Sequence, residues 1–174
     1  AIADAVDMPI VLYNVPGRTG LNATAATTIR IAKEVPQVVA VKEASGNLSQ
    51  MMDVINSLPK NFTVLSGDDN LTLPLMAIGG KGVISVASNI VPEKMHQLTE
   101  YALNGDIENA QRLHYELLPL FKAIFIETNP IPIKYALSLK GLVEEVYRLP
   151  MCEMKPENKE KLKTVLNDLG ALQR

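Results

Sequence analysis

Val38-Val39-Ala40-Val41-Lys42-Glu43-Ala44 is the stretch of this sequence that decides the fold. Its apolar, largely β-branched residues form an almost continuous run, which is typical of a parallel strand covered on both faces. Lys42 lies where such a strand carries another hydrophobic side chain, and an ammonium group loses favourable hydration there. A lysine in this position is often kept neutral, and a neutral amine can attack a ketone. The alternative is a lysine at the exposed end of the strand that pairs with a carboxylate of the next loop, and this stretch alone leaves both interpretations open.

The composition narrows the class of protein. The 174 residues are 47% hydrophobic, which predicts a globular protein with a sizeable core. A net charge of −2 argues against a basic face for nucleic acid or an anionic membrane and favours small-molecule partners. The single cysteine, Cys152, excludes an internal disulfide framework and predicts a reducing, cytoplasmic location. With two histidines only, His96 and His114, we expect neither a histidine-built metal site nor a cofactor.

The sequence was searched for a membrane-spanning segment and for a signal peptide at the N-terminus. No apolar run reaches the roughly 18 residues of a membrane span, and the N-terminus has no signal-peptide pattern. Residues 1–7 resemble the end of a helix without a cap or an initiator Met. We therefore expect that the chain begins inside a longer protein.

Four strand-like runs follow one another along the first part of the chain. Their centres, near Leu12, Val41, Val64 and Ile84, are spaced by about 20 to 30 residues, close to the roughly 30 residues of one unit in an eight-unit βα barrel. Helical patterns and a loop at residues 43–47 connect them. The predicted strands cover residues 10–14, 38–42, 62–66 and 82–88, and the predicted helices cover residues 23–34, 47–58 with Asn47 or Ser49 as cap, 71–78 and 92–103.

The remainder of the sequence is helical in pattern. Asp106 is predicted to cap a helix from Ile107 to about Ile126, kinked near Pro119. Further helices are predicted over residues 132–139 and 156–169. We therefore predict an α/β fold with four parallel βα units over residues 1–104 and a helical region over residues 105–174.

Several polar side chains fall at or near the C-terminal ends of the predicted strands, where parallel α/β folds collect their functional groups. Tyr13 could move protons to and from a carbonyl, and Arg18 could hold a carboxylate by two parallel hydrogen bonds. Each has a plainer interpretation: Tyr13 as a core ring with its hydroxyl at the surface, and Arg18 as a solvated loop residue. Asp68 and Asp69 fit capping or supporting roles better than a metal site, because no further acidic residues lie near them.

Six motifs closely resemble the dihydrodipicolinate synthase family in their order and spacing. They are Tyr-Asn-Val-Pro-Gly-Arg-Thr-Gly at 13–20, Val-Lys-Glu-Ala-Ser-Gly-Asn at 41–47, Leu-Ser-Gly-Asp-Asp at 65–69, Gly-Gly-Lys-Gly-Val-Ile-Ser-Val at 79–86, Asn-Pro-Ile-Pro-Ile-Lys at 129–134 and Arg-Leu-Pro-Met at 148–151. The resemblance covers nearly all of this chain, but only the later part of the family's sequence.

The resemblance implies a fold and an activity. The family has a class I aldolase-like (β/α)8 TIM barrel with C-terminal helices and condenses pyruvate with aspartate semialdehyde in the diaminopimelate and lysine pathway. By this resemblance Lys42 is the Schiff-base lysine, Tyr13 relays protons and Arg18 binds a carboxylate. Gly67 and Ile84 line the pyruvate pocket. This chain then corresponds to the second half of the barrel in a dimeric or tetrameric homo-oligomer.

Two alternatives accompany this interpretation. N-acetylneuraminate lyase is similar in general plan but lacks an arginine in the Tyr-Asn-x-Pro-x-Arg position, so Arg18 favours the synthase. The family's other relay groups, a threonine and a second tyrosine, lie upstream of the part that this chain resembles. The chain is therefore either the catalytic half of an enzyme whose other half is elsewhere or a half-barrel module without turnover, and we expect the isolated 174 residues to lack synthase activity.

Overall fold

A parallel sheet of three strands forms the centre of the first part of the chain, in a computed structural model that describes residues 1–59 and 61–172. Tyr13 lies opposite Lys42, and Lys42 lies opposite Leu65. The predicted α/β fold with parallel strands is therefore confirmed, and the C-terminal ends of neighbouring strands lie level with one another. The strands, in sheet order, are β1 (Ile10–Asn14), β2 (Val38–Glu43) and β3 (Thr63–Ser66).

Helices connect these strands and begin where the sequence supplies caps. The Thr24 side chain accepts a hydrogen bond from the Thr27 N–H, and the Asn47 side chain accepts one from the Gln50 N–H. Asn47 is thus the cap, of the two residues that the sequence offered. The helices of this part are α1 (Ile2–Ala5), α2 (Pro16–Thr19), α3 (Ala25–Glu34), α4 (Leu48–Ser57) and α5 (Thr72–Ala77).

The hydrophobic core of this part lies between the sheet and its helices. Burying each large apolar side chain there contributes roughly 1.5–3 kcal/mol. The other face of β1 is open, since Val11 and Tyr13 are 45% and 46% exposed. The core therefore fixes one face of the sheet and leaves the edge strand's other face accessible. Its buried residues are Val41, Met51, Val54, Val64 and Leu75.

The prediction of a fourth strand at residues 82–88 is wrong in extent. Within the described residues this segment makes one isolated parallel bridge, between Val83 and Ser66. The Ile84 N–H donates to the Ser66 carbonyl at 2.9 Å, so the segment still runs beside β3. It stops early because β3 itself has only four residues and because Ala87–Asn89 forms a 3₁₀ turn.

Within the described residues, the second part of the chain has four α-helices. The Asp106 side chain accepts a hydrogen bond from the Asn109 N–H and so caps the second of them as predicted. Fully buried leucines, such as Leu117 and Leu162, fill the interfaces. The helices are α6 (Pro92–Leu103), α7 (Ile107–Ala123), α8 (Ile131–Leu139) and α9 (Pro156–Asp168), with α6 and α9 against α7 and α8 against α9.

Most helix bounds agree with the sequence prediction within one residue. The exceptions are α3, which begins at Ala25 instead of near residue 23, and α7, which ends at Ala123 instead of near Ile126. Pro119 lies inside α7, and the predicted kink there stays a prediction. None of the helices in the described ranges has both the length and the apolar composition that crossing a bilayer requires.

The chain divides into two compact units, Ala1–Ser85 and the residues from Val86 onward. The predicted boundary between residues 1–104 and 105–174 lies at a different place and stays a prediction. The two divisions differ in α6, which the prediction assigned to the region of βα units, residues 1–104. Because α6 packs against α7, it lies in the second compact unit.

His114 is a buried titratable group in the second unit. It lies on α7 with 8% of its surface exposed, and its ring centroid lies 5.3 Å from that of Tyr115 and 6.0 Å from that of Phe121. In the described part of the chain its Nδ1 atom has no hydrogen-bond partner. Burial lowers the pKa of the imidazole below its ordinary value of 6.5. The folded protein therefore holds His114 in its neutral form.

This burial predicts a pH-dependent stability. Folded His114 binds a proton less readily than unfolded His114, so stability contributed by the neutral ring falls as the pH is lowered through 6.5 toward the folded pKa. We expect His114→Gln to reduce the loss of thermal stability between about pH 8 and about pH 5.5, measured by circular dichroism. His96→Gln, at an exposed position, is the matched control. An unchanged pH profile in His114→Gln contradicts this assignment.

Candidate active site

The C-terminal ends of β1 and β2 bring Tyr13 and Lys42 together. The two residues are direct partners in the parallel register, and the Lys42 Nζ atom lies 4.2 Å from the centroid of the Tyr13 ring. Lys42 is partly buried, whereas Tyr13 is 46% exposed. A cation over an aromatic face gains about 0.5–1 kcal/mol at an accessible site. The lysine head group of this partly buried residue thus lies beside the tyrosine.

Two other lysines lie over tyrosine rings, and they show what is particular to Lys42. Lys134 lies 5.3 Å from the Tyr147 ring centroid and donates a hydrogen bond to the Val146 carbonyl. Lys159 lies 5.1 Å from the Tyr135 centroid and pairs with Glu145 and Glu153. The hydrogen bond with Glu145 is the main cause that raises the pKa of Lys159.

Lys42 has a different environment. Among residues 1–59 and 61–172, no carboxylate forms a salt bridge with it and no carbonyl accepts from its Nζ atom. The salt bridge with a loop carboxylate that the plainer interpretation expects is thus not formed within the described residues, although the charge of Lys42 acts on the loop carboxylate Asp68.

Gly67 lies directly against the stem of Lys42. Its N–H donates to the Glu43 carbonyl at 2.7 Å, which joins the loop after β3 to the end of β2. A Cβ atom at this position would lie 3.2 Å from Lys42 Cε and 2.6 Å from Ala44 Cβ. Glycine is required here because the two backbones approach too closely for any side chain. The structure therefore brings Gly67 together with Lys42.

Ile84 lies in the segment that runs beside β3. Its backbone is hydrogen-bonded to Ser66, the last residue of β3, and its side chain is 40% exposed. The next residue, Ser85, donates a hydrogen bond to the buried carboxylate of Asp69. The sequence did not reveal that Asp69 holds Ser85.

Arg18 lies on the loop that follows β1. It belongs to the single-turn helix α2, which ends at Gly20 with φ 70°, and its side chain is exposed. The Gly20 N–H donates to the Pro16 carbonyl and closes the turn. Arg18 is thus carried at the same end of the sheet as Tyr13, five residues further along the chain.

Asp68 is a carboxylate whose pKa is affected by the charge of Lys42. Burial raises the pKa of Asp68, the charge of Asp69 raises it further, and the positive charge of Lys42 opposes both. In the part of the chain that the structure describes, no group of three or more metal-ligating side chains is present. The sequence predicted only a capping or supporting role for Asp68. It did not predict that the charge of Lys42 acts on the Asp68 carboxylate.

The sequence also missed a polar cluster on the opposite face of β1 and β2. The loop predicted at residues 43–47 is wrong at its first residue, since β2 continues through Glu43. The Glu43 carboxylate is fully buried and accepts hydrogen bonds from Asn14 at 3.0 and 3.1 Å. The available signal was that Asn14 and Glu43 each follow a proposed functional residue at the end of a strand.

These features define an α/β protein with a partly buried lysine and a tyrosine at the carboxyl ends of adjacent parallel strands. Residues 1–169 match the family model described as dihydrodipicolinate synthetase family, and the chain belongs to that family.

Individual relatives agree with this assignment. The 4-hydroxy-tetrahydrodipicolinate synthase of Chlorobium phaeobacteroides (strain BS1) is 52% identical over 169 residues, which are 97% of this chain and 57% of the relative. The crystal structure of dihydrodipicolinate synthase from Aquifex aeolicus is 46% identical, with a TM-score of 0.96 over 98% of this chain and 58% of that one. The chloride-inhibited synthase from Acinetobacter baumannii, complexed with pyruvate, is 38% identical, with a TM-score of 0.93 over 98% of this chain and 58% of that one. This chain thus spans somewhat more than half the length of the proteins that it matches.

The close approach at Gly67 gives a prediction about stability. We expect Gly67→Ala to lower the free energy of unfolding by about 1–3 kcal/mol, because the new methyl group overpacks a contact made by fixed backbone and by Ala44. Chemical denaturation measures the change. Gly17→Ala is the control, since no heavy atom of the described residues lies within 4 Å of a Cβ atom built there. Equal stability of the two variants contradicts the tight contact.

Proposed function

We propose that this chain carries the Schiff-base site of a 4-hydroxy-tetrahydrodipicolinate synthase, which condenses pyruvate with aspartate semialdehyde in diaminopimelate and lysine biosynthesis. The observation that carries the proposal is the placement of Lys42 Nζ, 4.2 Å from the centre of the Tyr13 ring and without an ion pair in the described residues. The names of the relatives and the pyruvate complex of the Acinetobacter baumannii enzyme support the same substrates.

Lys42 is the nucleophile in this proposal. Its neutral amine attacks the pyruvate ketone, and loss of one water molecule with uptake of one proton leaves a protonated imine that acts as an electron sink. Removal of a proton from the pyruvate methyl group then gives an enamine. The enamine carbon attacks the aldehyde carbon of the second substrate, and the aldehyde oxygen takes up a proton. Cyclisation through the substrate's own amine releases the product and returns Lys42.

Tyr13 relays the protons that these steps require. It is the register partner of Lys42 and the ring over which the amine lies, so its hydroxyl belongs to the same pair of strand ends. Since Tyr13 is 46% exposed, protons can pass between it and groups outside the sheet. Gly67 leaves room beside the Lys42 stem, and we assign it, with Ile84, to the lining of the pyruvate pocket.

The proposal includes the architecture of the whole protein. We propose that β1, β2, β3 and the segment beside β3 belong to the second half of a (β/α)8 barrel. In support, the chain spans 57% of the Chlorobium phaeobacteroides relative, and Val11 and Tyr13 expose the uncovered face of β1. In the described ranges no strand pairs with the outer edge of β1, which is the edge where a preceding barrel strand would lie. Homo-oligomerisation and the cytoplasmic location stay predictions.

Borohydride trapping tests the identity of the nucleophile. When the full-length protein that carries these residues is given pyruvate and borohydride, we expect covalent labelling at Lys42, because the imine is reducible to a stable amine. Peptide mass spectrometry locates the label. Lys42→Arg should abolish it, whereas Lys134→Arg is the matched control, since Lys134 also lies over a tyrosine ring. Labelling at Lys81 or Lys134 with Lys42 unlabelled overturns the assignment.

A second prediction concerns the binding of the other substrate. We propose that Arg18 holds the carboxylate of aspartate semialdehyde, because it lies on the exposed loop beyond Tyr13 and not beside Lys42. Arg18→Ala should raise the KM for the aldehyde roughly ten- to a hundredfold, which corresponds to the loss of about 1.5–3 kcal/mol from one charge-assisted contact. Steady-state kinetics with each substrate varied in turn measures it. An effect confined to pyruvate contradicts this role.

A further inference from the structure

We propose that Glu43 is a positioning residue that holds Tyr13 and Lys42 side by side through a buried hydrogen-bond network on the opposite face of the sheet. The inference rests on the proposed roles of Tyr13 and Lys42 in Schiff-base chemistry. It assigns Glu43 no contact with the substrate, and its effect passes through the neighbouring strand residues.

The geometry of the strands supplies the connection. Side chains alternate between the two faces of a strand, so Asn14 and Glu43 point away from the face that carries Tyr13 and Lys42. Asn14 and Glu43 are themselves register partners, one residue beyond the Tyr13 and Lys42 pair. A side-chain link between Asn14 and Glu43 therefore fixes the same two strand ends that carry the proposed nucleophile and proton relay.

The surroundings of Glu43 are built for a carboxylate. The residue is fully buried, and in the described part of the chain it has no cationic partner. Asn14 Nδ2 donates to both of its oxygens at 3.0 and 3.1 Å, the Ser45 N–H donates at 2.7 Å and Gln50 Nε2 donates at 3.3 Å. A buried charge is tolerated only where donors replace its lost hydration, and in each of these four hydrogen bonds the Glu43 carboxylate accepts from a donor.

The same network reaches the loop that carries Arg18. Asn14 Oδ1 accepts from the Ala23 N–H at 2.9 Å, and Asn14 Nδ2 donates to Asn22 Oδ1 at 2.9 Å. Asn22 Nδ2 in turn donates to Gln50 Oε1 at 2.8 Å. Both ends of the Arg18 loop are thus tied to β2 through Asn14 and Glu43.

Glu43→Gln is the test, because it keeps the shape of the side chain and replaces one acceptor by a donor. The fixed Ser45 N–H holds the new carbonyl oxygen, so the new amide group faces the donors of Asn14 and Gln50. In the full-length protein, we expect pyruvate and excess borohydride to label Lys42 between about tenfold and about a hundredfold more slowly. Glu34→Gln, which removes a carboxylate 65% exposed, is the control and should label at the unaltered rate.

A compensating variant separates positioning from general damage. Asn14→Asp combined with Glu43→Gln restores an acceptor opposite the new amide and conserves the total charge, so it should recover part of the lost labelling rate. Asn14→Asp alone places two buried carboxylates together and should not label faster than Glu43→Gln.

The rate and the final extent of labelling have different meanings. A positioning role slows the rate but leaves the final fraction of labelled Lys42 unchanged. A reduced final fraction with an unchanged rate shows a merely structural role and overturns the inference, as does a rate equal to that of Glu34→Gln.

If Glu43→Gln does not fold, Gln50→Ala is the deciding variant, because it removes one hydrogen-bond donor to Glu43. Labelling of Lys42 that is about threefold slower supports the inference, and an unchanged rate overturns it. Absence of labelling in the unaltered protein overturns the proposed function itself, and the positioning role with it.

Discussion

The parallel register of β1 with β2 is the constraint on which the candidate site depends. It sets Tyr13 opposite Lys42 and Asn14 opposite Glu43 in successive positions. Because neighbouring side chains of a strand point to opposite faces, this register places Tyr13 and Lys42 on one face and the buried polar pair Asn14 and Glu43 on the other. A shift of one residue would exchange the faces and place the Lys42 ammonium group among the apolar side chains that α4 packs against the sheet. The placement of Tyr13 and Lys42 and the packing of the core are therefore fixed by the same backbone hydrogen bonds.

Much of this arrangement could be predicted from the sequence because its signals are local. The apolar runs predicted the three strands. The helix starts were indicated by the capping residues Asn47 and Asp106 and by proline at the first turn of α6 and α9. The positions of Tyr13, Lys42 and Gly67 at strand ends followed from the strand bounds. The fourth strand was overestimated because residues 82–88 have a strand-like composition, whereas strand length also depends on the partner, and β3 has four residues.

The parts that sequence reasoning missed are tertiary. A glutamate after a strand suggests a solvated loop, and only the register shows that Glu43 faces Asn14 and is buried. Likewise, composition gives no indication that Asp69 holds Ser85 or that Asp68 lies close enough to Lys42 to be affected by its charge. These contacts join residues from different strands, so no periodicity within one segment reveals them.

The buried carboxylate also bears on the balance between stability and function. Desolvating a charge is unfavourable, and an apolar side chain at position 43 would extend the core formed by Val41 and Met51 without that penalty. A network of amides around Glu43 has directional contacts that an apolar side chain lacks, and directional contacts fix relative positions more narrowly than dispersion does. The proposed chemistry needs an amine and a proton carrier at a fixed separation, which is a requirement for position and not for stability. A buried charge at the end of β2 is consistent with that requirement, because it anchors both strand ends from the side that the substrate does not occupy.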